Sequence, residues 1–357
     1  MARTVLSDYS SMFPIFCNVH YRMIPPIVRR GLFLAPLLWL AGCNTVVLNP
    51  SGDIAAQQAH LVVVSTLLML LIIVPVMFLI CLFAWRYRKS NTAAEYKPDW
   101  DHSTKLELLI WGAPLLIIIV LGLITWIYTH LLDPYRPLSR LDETRAVAPG
   151  VKPLEVEVVS MDWKWMFIYP EQGIATVNEL VTPVDVPIRF KMTSSTVMNA
   201  FYIPALAGMV YTMPTMETQL NAVMNKVGVY DGFSANYSGA GFSDMKFKYH
   251  GVSQADFDAW VAKIKAGGQG SNGVLTRAQF AQLDKPTIKH PIMHFERVEP
   301  ELYDRVLNRC VAEGTTCANE QMHQDAERIK AAAAIKDAQK DVCVPNVAAT
   351  AQPTRKE

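Results

Sequence analysis

Few side chains in this 357-residue chain could do chemistry. Glu107 stands one residue before the run Leu108–Thr129, which contains no Asp, Glu, Lys, Arg or His. A carboxylate beside such a run can take protons from water and pass them to a buried relay, or it can be a solvated charge at a helix end. The residue types alone favour the second interpretation, so Glu107 is a candidate proton carrier with both interpretations open.

Histidine is the commonest metal ligand in proteins, but its spacing here predicts no metal site. His290, His294 and His323 have no partner at metal-ligand spacing, so we assign no metal to them. The formal net charge is +1 at pH 7, which gives no reason to infer a nucleic-acid partner. The residue types therefore indicate neither a histidine-based metal protein nor a nucleic-acid binder.

The cysteines are few and widely spread. Cys81 lies inside an apolar run and is expected to be a small buried side chain. Cys310, Cys317 and Cys343 lie near the C-terminus, where an oxidising compartment would allow one disulfide and leave an odd thiol. Cys310 and Cys317 are the nearest pair in sequence, which favours them as the bridge.

Two long apolar segments dominate the first third of the chain. Leu61–Trp85 and Leu108–Thr129 contain no charged side chain. As helices, both are long enough to cross a hydrocarbon core of roughly 30 Å. We therefore predict a transmembrane hairpin with spans at 61–85 and 108–131.

Charge sets the orientation of this hairpin. The loop at 86–107 carries five Lys or Arg residues, whereas 44–60 carries none. By the positive-inside rule the loop is cytoplasmic and both outer ends of the hairpin lie across the membrane. The remaining mass of the chain, from about Asp133 onward, is then expected outside the cytoplasm.

A cleavage-type segment precedes the hairpin. Two arginines lead into an apolar run that ends in Leu40-Ala41-Gly42-Cys43. This ending resembles the lipobox of bacterial lipoproteins, in which the signal peptide is cut before a diacylated cysteine. It implies a signal peptide over 1–42, with Met23 as a candidate start, and a lipidated periplasmic segment over 43–60. A plain signal peptide with an incidental cysteine is the alternative.

From Leu154 the pattern changes to short strand-like segments. Leu154–Val159 alternates as a half-buried strand does, and similar segments follow between proline and glycine turns. Many short strands of this kind predict an all-β sandwich over 150–250. The further predicted strands are Trp163–Tyr169, Ala175–Leu180, Ile188–Met192, Phe201–Ile203, Glu217–Ala222 and Lys246–His250.

Three stretches in this region are the most specific: Asp162-Trp163-Lys164-Trp165, Ser194–Pro204 and Tyr230–Met245. Together they resemble subunit II of haem–copper respiratory oxidases, a family with two membrane helices followed by a cupredoxin domain. In members that take electrons from cytochrome c, the last stretch reads Cys-x-Glu-x-Cys-x3-His-x2-Met, and the middle one supplies another His. Those residues hold a dinuclear copper centre, which requires soft thiolate ligands.

This sequence keeps the spacing of that pattern but replaces its ligands. The replacements are Ser234 and Ser238 at the cysteines, Asn236 at the glutamate, Phe242 at the loop histidine and Asn199 at the upstream histidine. Only Met245 remains, and one thioether beside Ser and Asn oxygens lacks the soft donors that copper needs. We therefore assign no metal here and expect Met245 to pack in the core.

A copper-site loop whose spacing is kept while its ligands are replaced resembles the loop in subunit II of quinol oxidases of the cytochrome bo type. The resemblance implies subunit II of a proton-translocating ubiquinol oxidase, which reduces dioxygen to water in a bacterial inner membrane with the β domain in the periplasm. It implies no redox centre in this chain, since subunit I would hold the haems and the copper. The implied partners are subunit I, further oxidase subunits and membrane lipid, with ubiquinol handled by the complex. Trp163, which matches an electron-passing aromatic pair in copper-bearing relatives, is expected to pack.

The resemblance also changes the interpretation of Glu107. In this family a glutamate at this position of subunit II lies at the mouth of a proton channel that rises through subunit I. Glu107 is therefore expected to collect protons from the cytoplasm at that entrance.

A helical, aromatic-containing extension is predicted over 251–311. Ser253 is a helix cap, and Thr276 begins a second helix with a capping box. A third helix is predicted over Pro300–Cys310, and 312–357 is a polar tail with little packing expected. The aromatic residues expected as core contacts are Phe257, Trp260, Phe280 and Phe295.

The sequence thus predicts a two-helix transmembrane hairpin, an all-β cupredoxin-like sandwich and a short helical C-terminal extension. Two other functions stay open. One is a copper-bearing cytochrome c oxidase subunit II, which the replaced ligands oppose. The other is a stand-alone membrane lipoprotein with a ligand-binding sandwich, which fold alone permits. Glu107 and the Trp-flanked hairpin favour packing against a partner subunit over simple anchoring.

Overall fold

The computed structural model of the chain describes residues 45–95, 97, 99–267 and 271–342. The predicted signal peptide, the predicted lipidation site Cys43 and the third C-terminal cysteine, Cys343, lie outside these residues. The membrane hairpin, the β domain and the extension all lie within them, apart from the five internal positions omitted from these ranges.

Two long helices form the hairpin. Helix α1 is Asp53–Arg86 and helix α2 is Thr104–Leu131. Both are long and apolar enough to cross a membrane, and both stay helical through Pro75 and Pro114. The two predicted spans lie inside these helices. Cys81, which we expected to be buried, is exposed on α1, because none of the residues that the structure describes covers that face of the helix.

The first turns of α1, ahead of its apolar run, pack against the β domain. Asp53 and Ala55 are buried, and the amide of Gly52 donates a hydrogen bond to the carbonyl of Ala205 over 2.9 Å. A Cβ atom on Gly52 would lie 2.6 Å from the carbonyl oxygen of Val223, so only glycine fits this contact. The helix and the β domain are therefore joined by backbone packing as well as by the chain.

The β domain is a two-sheet sandwich. In chain order its strands and those of the extension are β1 (Leu154–Met161), β2 (Lys164–Tyr169), β3 (Ile174–Val177), β4 (Glu179–Pro183), β5 (Pro187–Ser194), β6 (Asn199–Tyr202), β7 (Val210–Thr212), β8 (Thr218–Val223), β9 (Gly228–Ser234), β10 (Lys246–Val252), β11 (Val274–Leu275), β12 (Met293–Phe295) and β13 (Arg297–Val298). The larger sheet has the order β12-β3-β2-β1-β5-β8 and the smaller one β4-β10-β9-β6-β7. Strands β11 and β13 form a separate pair.

Aromatic side chains from both sheets meet in the core between them. The rings of Phe201 and Phe247 stack with their centroids 5.5 Å apart, and Trp165 meets Phe201 edge-on at 5.4 Å. All three are almost completely buried. Burying a side chain of this size contributes about 1.5–3 kcal/mol, so these rings help to hold the two sheets together.

All of the predicted strands are confirmed, although one is divided and the sandwich also contains β7 and β9, which the sequence did not predict. The segment Ala175–Leu180 is split into β3 and β4, because Asn178 adopts a left-handed backbone conformation with φ 58° and its side chain accepts a hydrogen bond from the amide of Trp165. Strand β9 begins ahead of the stretch Tyr230–Met245 and extends into it as far as Ser234. That stretch is therefore a strand followed by a loop.

The helices of the extension are α3 (Gln254–Lys265), α4 (Arg277–Leu283), α5 (Leu302–Leu307) and α6 (Ala318–Val342). The predicted caps are confirmed: Ser253 accepts a hydrogen bond from the amide of Asp256, and Thr276 forms a capping box with Gln279. Helix α5 is shorter than predicted, because Glu301 and Arg309 adopt positive φ angles that interrupt the helix.

The extension is joined to the sandwich and not simply appended to it. Its strand β12 forms the edge of the larger sheet beside β3, and Phe257, Phe280 and Phe295 are buried as expected, while Trp260 is partly buried. The predicted bridge Cys310–Cys317 is confirmed. Helix α6 follows, and its described side chains are almost all exposed, in agreement with a tail that packs little.

Candidate functional site

Three of the positions that match the copper-site pattern meet at one end of the smaller sheet. Asn199 begins β6, Ser234 ends β9 and Met245 directly precedes β10. The hydroxyl of Ser234 donates to Oδ1 of Asn199 over 3.2 Å, and its amide donates to the carbonyl of Met245 over 3.1 Å. Asn199 and Met245 are fully buried and Ser234 is 3% exposed, so the predicted core position of Met245 is confirmed.

The polar atoms of this corner hydrogen-bond to the protein itself. The hydroxyl of Ser234 accepts a hydrogen bond from the amide of Ala200 over 3.4 Å. The amide groups of the Asn199 and Asn236 side chains donate to the carbonyls of Val197 and Met198 over 3.3 and 3.1 Å. The corner is therefore a closed hydrogen-bonded joint between strands.

The other two positions lie further along the loop. The carbonyl of Ser238 accepts a hydrogen bond from Nε1 of Trp163 over 3.1 Å, while the hydroxyl of Ser238 is buried and has no hydrogen-bond partner among the described residues. The ring of Phe242 is partly buried and contacts the exposed Tyr237 edge-on at 5.6 Å. Ser238 and Phe242 thus contribute to loop packing.

Trp163 is the surface on which this loop rests. A Cβ atom on Gly241 would lie 2.4 Å from the indole of Trp163. Gly239 has φ +118°, a backbone conformation that residues other than glycine rarely adopt. The loop backbone therefore lies directly on the indole ring. The packing role expected for Trp163 is confirmed.

The donor set at this corner does not fit a dinuclear copper centre. It offers hydroxyl and amide oxygens with one thioether, whereas a copper pair needs bridging thiolates and imidazole nitrogens. Within the described part of the chain, no group of three or more His, Cys, Asp and Glu residues is placed to hold a metal ion. The assignment of no metal to this chain stays a prediction.

Glu107 lies in the first turn of α2, at the end of the hairpin that faces the loop. Nδ1 of His102 lies 2.7 Å from Oε1 of Glu107, and Nε2 of the same ring lies 3.2 Å from the hydroxyl of Thr104. The two side chains are 63% and 48% exposed, so both reach water in this chain. The sequence reasoning did not assign His102, although a histidine just ahead of the helix start and close to the acid was the available signal.

A second carboxylate–imidazole group lies where the extension joins the sandwich. Nε2 of His294 on β12 lies 2.6 Å from Oε2 of Glu179 on β4, and Nε2 of His250 on β10 lies 3.6 Å from Oε1. Burial raises the pKa of Glu179, but the hydrogen bond and charge of His294 and the charge of His250 outweigh it, so the pKa lies below its ordinary value. No local pattern shows this contact, because Glu179 and His294 are 115 residues apart in sequence.

Lys164 is a fully buried lysine in the Trp163–Trp165 motif. Its ammonium group donates to the carbonyl of Lys285 over 2.8 Å and to the hydroxyl of Thr287 over 2.6 Å. Burial lowers the pKa of Lys164. These bonds tie the loop after α4 to the central strand β2, and sequence reasoning missed them because the partners come from the extension.

Glu157 on β1 is a half-buried carboxylate in acidic surroundings. Burial, with a further contribution from Glu155, raises the pKa of Glu157 to about 7. Lys191 lies opposite Glu157 in the parallel pair β1–β5, but its ammonium group bonds Glu155 over 2.6 Å. Glu157 is therefore a group that changes its charge near neutral pH.

Comparisons with known proteins agree with this architecture. The family model of the periplasmic domain of cytochrome c oxidase subunit II matches residues 169–252, and the model of the aromatic-rich motif of these oxidases matches residues 269–314. The first match covers most of the sandwich and the second covers most of the extension beyond α3. Both matches begin after the hairpin.

Whole-chain relatives extend this similarity to most of the chain. Cytochrome bo(3) ubiquinol oxidase subunit 2 of Pseudomonas aeruginosa is 47% identical over 80% of this chain and 82% of its own length. Ubiquinol oxidase subunit 2 of Acetobacter aceti is 46% identical over 80% of this chain and 89% of its own length. Quinol oxidase subunit 2 of Bacillus cereus is 39% identical over 71% of this chain and 84% of its own length. With a hairpin, a cupredoxin-like sandwich and this level of identity, the chain belongs to the subunit 2 family of ubiquinol oxidases.

Proposed function

We propose that this chain serves a proton-translocating ubiquinol oxidase as a subunit without a redox centre of its own. The observation that supports this most directly is the buried contact between Ser234 and Asn199, which fills the corner where copper-bearing relatives place thiolate and imidazole. Electrons then pass from ubiquinol directly into subunit I, which holds the haems and the copper of the oxygen site. The complex reduces dioxygen to water and moves protons across the bacterial inner membrane.

The structural part of this role rests on the hairpin and its fixed connection to the β domain. Most apolar side chains of α1 and α2 are exposed in the single chain, which suits contact with lipid and with partner helices. Gly52 and the buried start of α1 fix the β domain on the hairpin. We propose that the loop at 86–107 is cytoplasmic and that the β domain covers the complex on the periplasmic side.

Glu107 and His102 carry the proposed chemistry of this chain. Their side chains lie 2.7 Å apart at the end of α2 and both reach water, so a proton can move from solvent to either group. Glu107 also lies in the first turn of the apolar helix α2. This position supports transfer of a proton from its carboxylate to a buried relay in subunit I. We propose that the pair forms the cytoplasmic entrance of a proton channel.

Copper analysis tests the absence of a redox centre. The complex that co-purifies with this chain should contain only the copper of the oxygen site in subunit I. A dinuclear centre in this chain would add two copper atoms per complex. Finding those two atoms, and losing them when Met245 is changed to Leu, would contradict the proposal.

The N-terminal processing proposed from the sequence is tested separately. We propose cleavage after residue 42 and diacylation of Cys43, which would hold the mature N-terminus at the outer leaflet. Mass spectrometry of the mature chain should show a mass that corresponds to residues 43–357 plus the lipid. A mature chain that still contains residues 23–42, or one that starts at Cys43 without lipid, would contradict it.

A further inference from the structure

A pocket of about 90 Å³ lies where the hairpin meets the segment that leads into the β domain. Asp53, from the start of α1, forms one wall. The other wall follows the end of α2 and contains Leu131, Asp133, Arg136, Leu138 and Arg140. The pocket therefore combines charged groups with the last apolar residues of a membrane helix.

Two of its four charges neutralise each other inside the protein. The buried carboxylate of Asp53 accepts hydrogen bonds from Nε of Arg140 over 3.0 Å and from the side-chain amide of Gln57 over 2.7 Å. Such a closed pair leaves little charge for a ligand. The groups that remain are Arg136 and Asp133, which are both exposed.

Arg136 and Asp133 carry opposite charges and lie three residues apart in the chain. A turn brings them together, with the amide of Arg136 donating to the carbonyl of Asp133 over 3.1 Å. The guanidinium of Arg136 has no side-chain partner among the residues that the structure describes. Oδ1 of Asp133 accepts from the amide of Tyr135 over 2.9 Å, which leaves Oδ2 available to a cation.

The pocket lies at the depth of the lipid headgroups if the apolar runs define the hydrocarbon core. Leu131 lies two residues beyond the run that ends at Thr129, which is about 3 Å along a helix. Asp53 lies eight residues before Leu61, or about 12 Å. The headgroup layer on each side of the core is about 5 to 7 Å thick. The Leu131 end of the pocket therefore lies within this layer, and its Asp53 end lies beyond the layer on the outer side.

We propose that this pocket binds the headgroup of a zwitterionic phospholipid with a primary ammonium group, from the outer leaflet. The phosphate would bind the guanidinium of Arg136, and the ammonium would donate to Asp133. Leu131 and Leu138 would contact the glycerol and the first acyl carbons. A purely anionic headgroup would place a negative charge beside Asp133 with no cation to meet it. The inference rests on the membrane placement given under Proposed function.

Native mass spectrometry of the intact complex tests this site. The delipidated complex would be titrated with phosphatidylethanolamine, phosphatidylcholine and phosphatidylglycerol of identical acyl chains, and with inorganic phosphate. We expect one phosphatidylethanolamine site that is about tenfold weaker in Arg136→Gln and in Asp133→Asn, because each change removes one charged hydrogen bond. Arg328→Gln, on the exposed helix α6, is the matched control and should bind like the wild type.

Each other outcome overturns the inference. Equal binding of the three lipids, or wild-type binding by Arg136→Gln, would exclude recognition of the headgroup. Displacement by inorganic phosphate alone would indicate a free-anion site. Loss of subunits from Arg136→Gln with unchanged lipid binding would identify the residue as a subunit contact. A chain that leaves the membrane without detergent would instead contradict the membrane placement itself.

Discussion

The hydroxyl of Ser234 donates a hydrogen bond to Oδ1 of Asn199 over 3.2 Å, and both residues are almost completely buried. In the copper-binding pattern of cytochrome c oxidases these two positions are a cysteine and a histidine. The contact therefore replaces a metal–ligand link between β6 and β9 by a direct hydrogen bond. The β domain keeps its shape at this corner because the two strands remain joined.

Removing this hydrogen bond tests its structural role. Ser234→Ala removes the hydroxyl that bonds both Oδ1 of the buried Asn199 side chain and the backbone amide of Ala200. We expect the complex to lose about 1–3 kcal/mol of stability, seen as a lower midpoint in thermal unfolding. Oxygen uptake per intact complex should stay at the wild-type value, since the proposed electron route does not include this corner. A loss of activity without a loss of stability would assign the serine a role in the reaction.

The proton-entrance proposal predicts a defect in turnover alone. Glu107→Gln removes the ionisable group and keeps its shape, so oxygen uptake with ubiquinol should fall several-fold while subunits and haems still co-purify. His102→Gln should give a smaller decrease, because the carboxylate remains. Glu95→Gln is the matched control, since this exposed loop acid pairs with Lys97 at 3.6 Å and has no other ion pair among the described residues. Wild-type turnover and proton uptake in an assembled Glu107→Gln complex would contradict the proposal.

Glu157 predicts a pH dependence of stability. Burial raises its pKa to about 7 from the ordinary 4.5, so the folded chain holds this proton more tightly than the unfolded chain does. The protonated carboxyl therefore makes its whole contribution to the free energy of unfolding below pH 4.5, and this contribution is lost as the pH rises through about 7.

Glu157→Gln should therefore be more stable than the wild type at pH 8, by about 1–2 kcal/mol after allowance for screening by water, and nearly equal at pH 4.5. Thermal unfolding at the two pH values measures this difference. Asp231→Asn is the comparison, because it removes an exposed carboxylate that bonds Lys248 and should not stabilise the chain. An equal gain at both pH values would disprove the titration of Glu157.

The Glu179–His294 contact predicts that the attachment of the extension to the sandwich depends on the ionised carboxylate of Glu179. Because the pKa of Glu179 lies below its ordinary value, the ionised group contributes stability above pH 4.5 and loses it as the pH falls further. His294→Gln should reduce stability at pH 7 by about 1–2 kcal/mol. It should also speed proteolysis between α3 and β12. His290→Gln is the control, since Nδ1 of this histidine lies 2.8 Å from the carbonyl oxygen of Pro291 in the neighbouring position and forms no hydrogen bond to Glu179 in the described structure. Equal cleavage rates in the two variants would show that Glu179–His294 does not hold the extension.

Local patterns predicted the parts of the fold that depend on local physics. Uncharged runs defined the two membrane helices, and alternation between turn residues found most strands of the sandwich but not β7 or β9. Ser253 and Thr276 marked helix starts because a cap is a contact within one turn. The bounds failed where backbone conformation decided them, at Asn178 and Glu301, whose positive φ angles no residue pattern required. The local sequence could not predict that α1 begins at Asp53, because Gly52 packs against residues of the β domain that are distant in sequence.

The same distinction holds for the site. The replaced ligands could be recognised because the loop keeps the spacing of the copper-site pattern. The resemblance to the oxidase family then identified them as lost copper ligands. His102 was missed, although it is close to Glu107 in sequence, because no periodicity connects a residue ahead of a helix with one in its first turn. The contacts Glu179–His294 and Lys164–Thr287 were beyond local reasoning, since each joins residues more than a hundred positions apart.

Oxygen uptake by the complex that co-purifies with a C-terminally tagged chain is the most direct measurement of the electron route. Ubiquinol and reduced cytochrome c would be offered in turn to the same preparation in mild detergent. We predict uptake with ubiquinol and none with cytochrome c, because the corner of Ser234 and Asn199 has no ligands for a copper relay. Uptake driven by cytochrome c would contradict the absence of a redox centre in this chain.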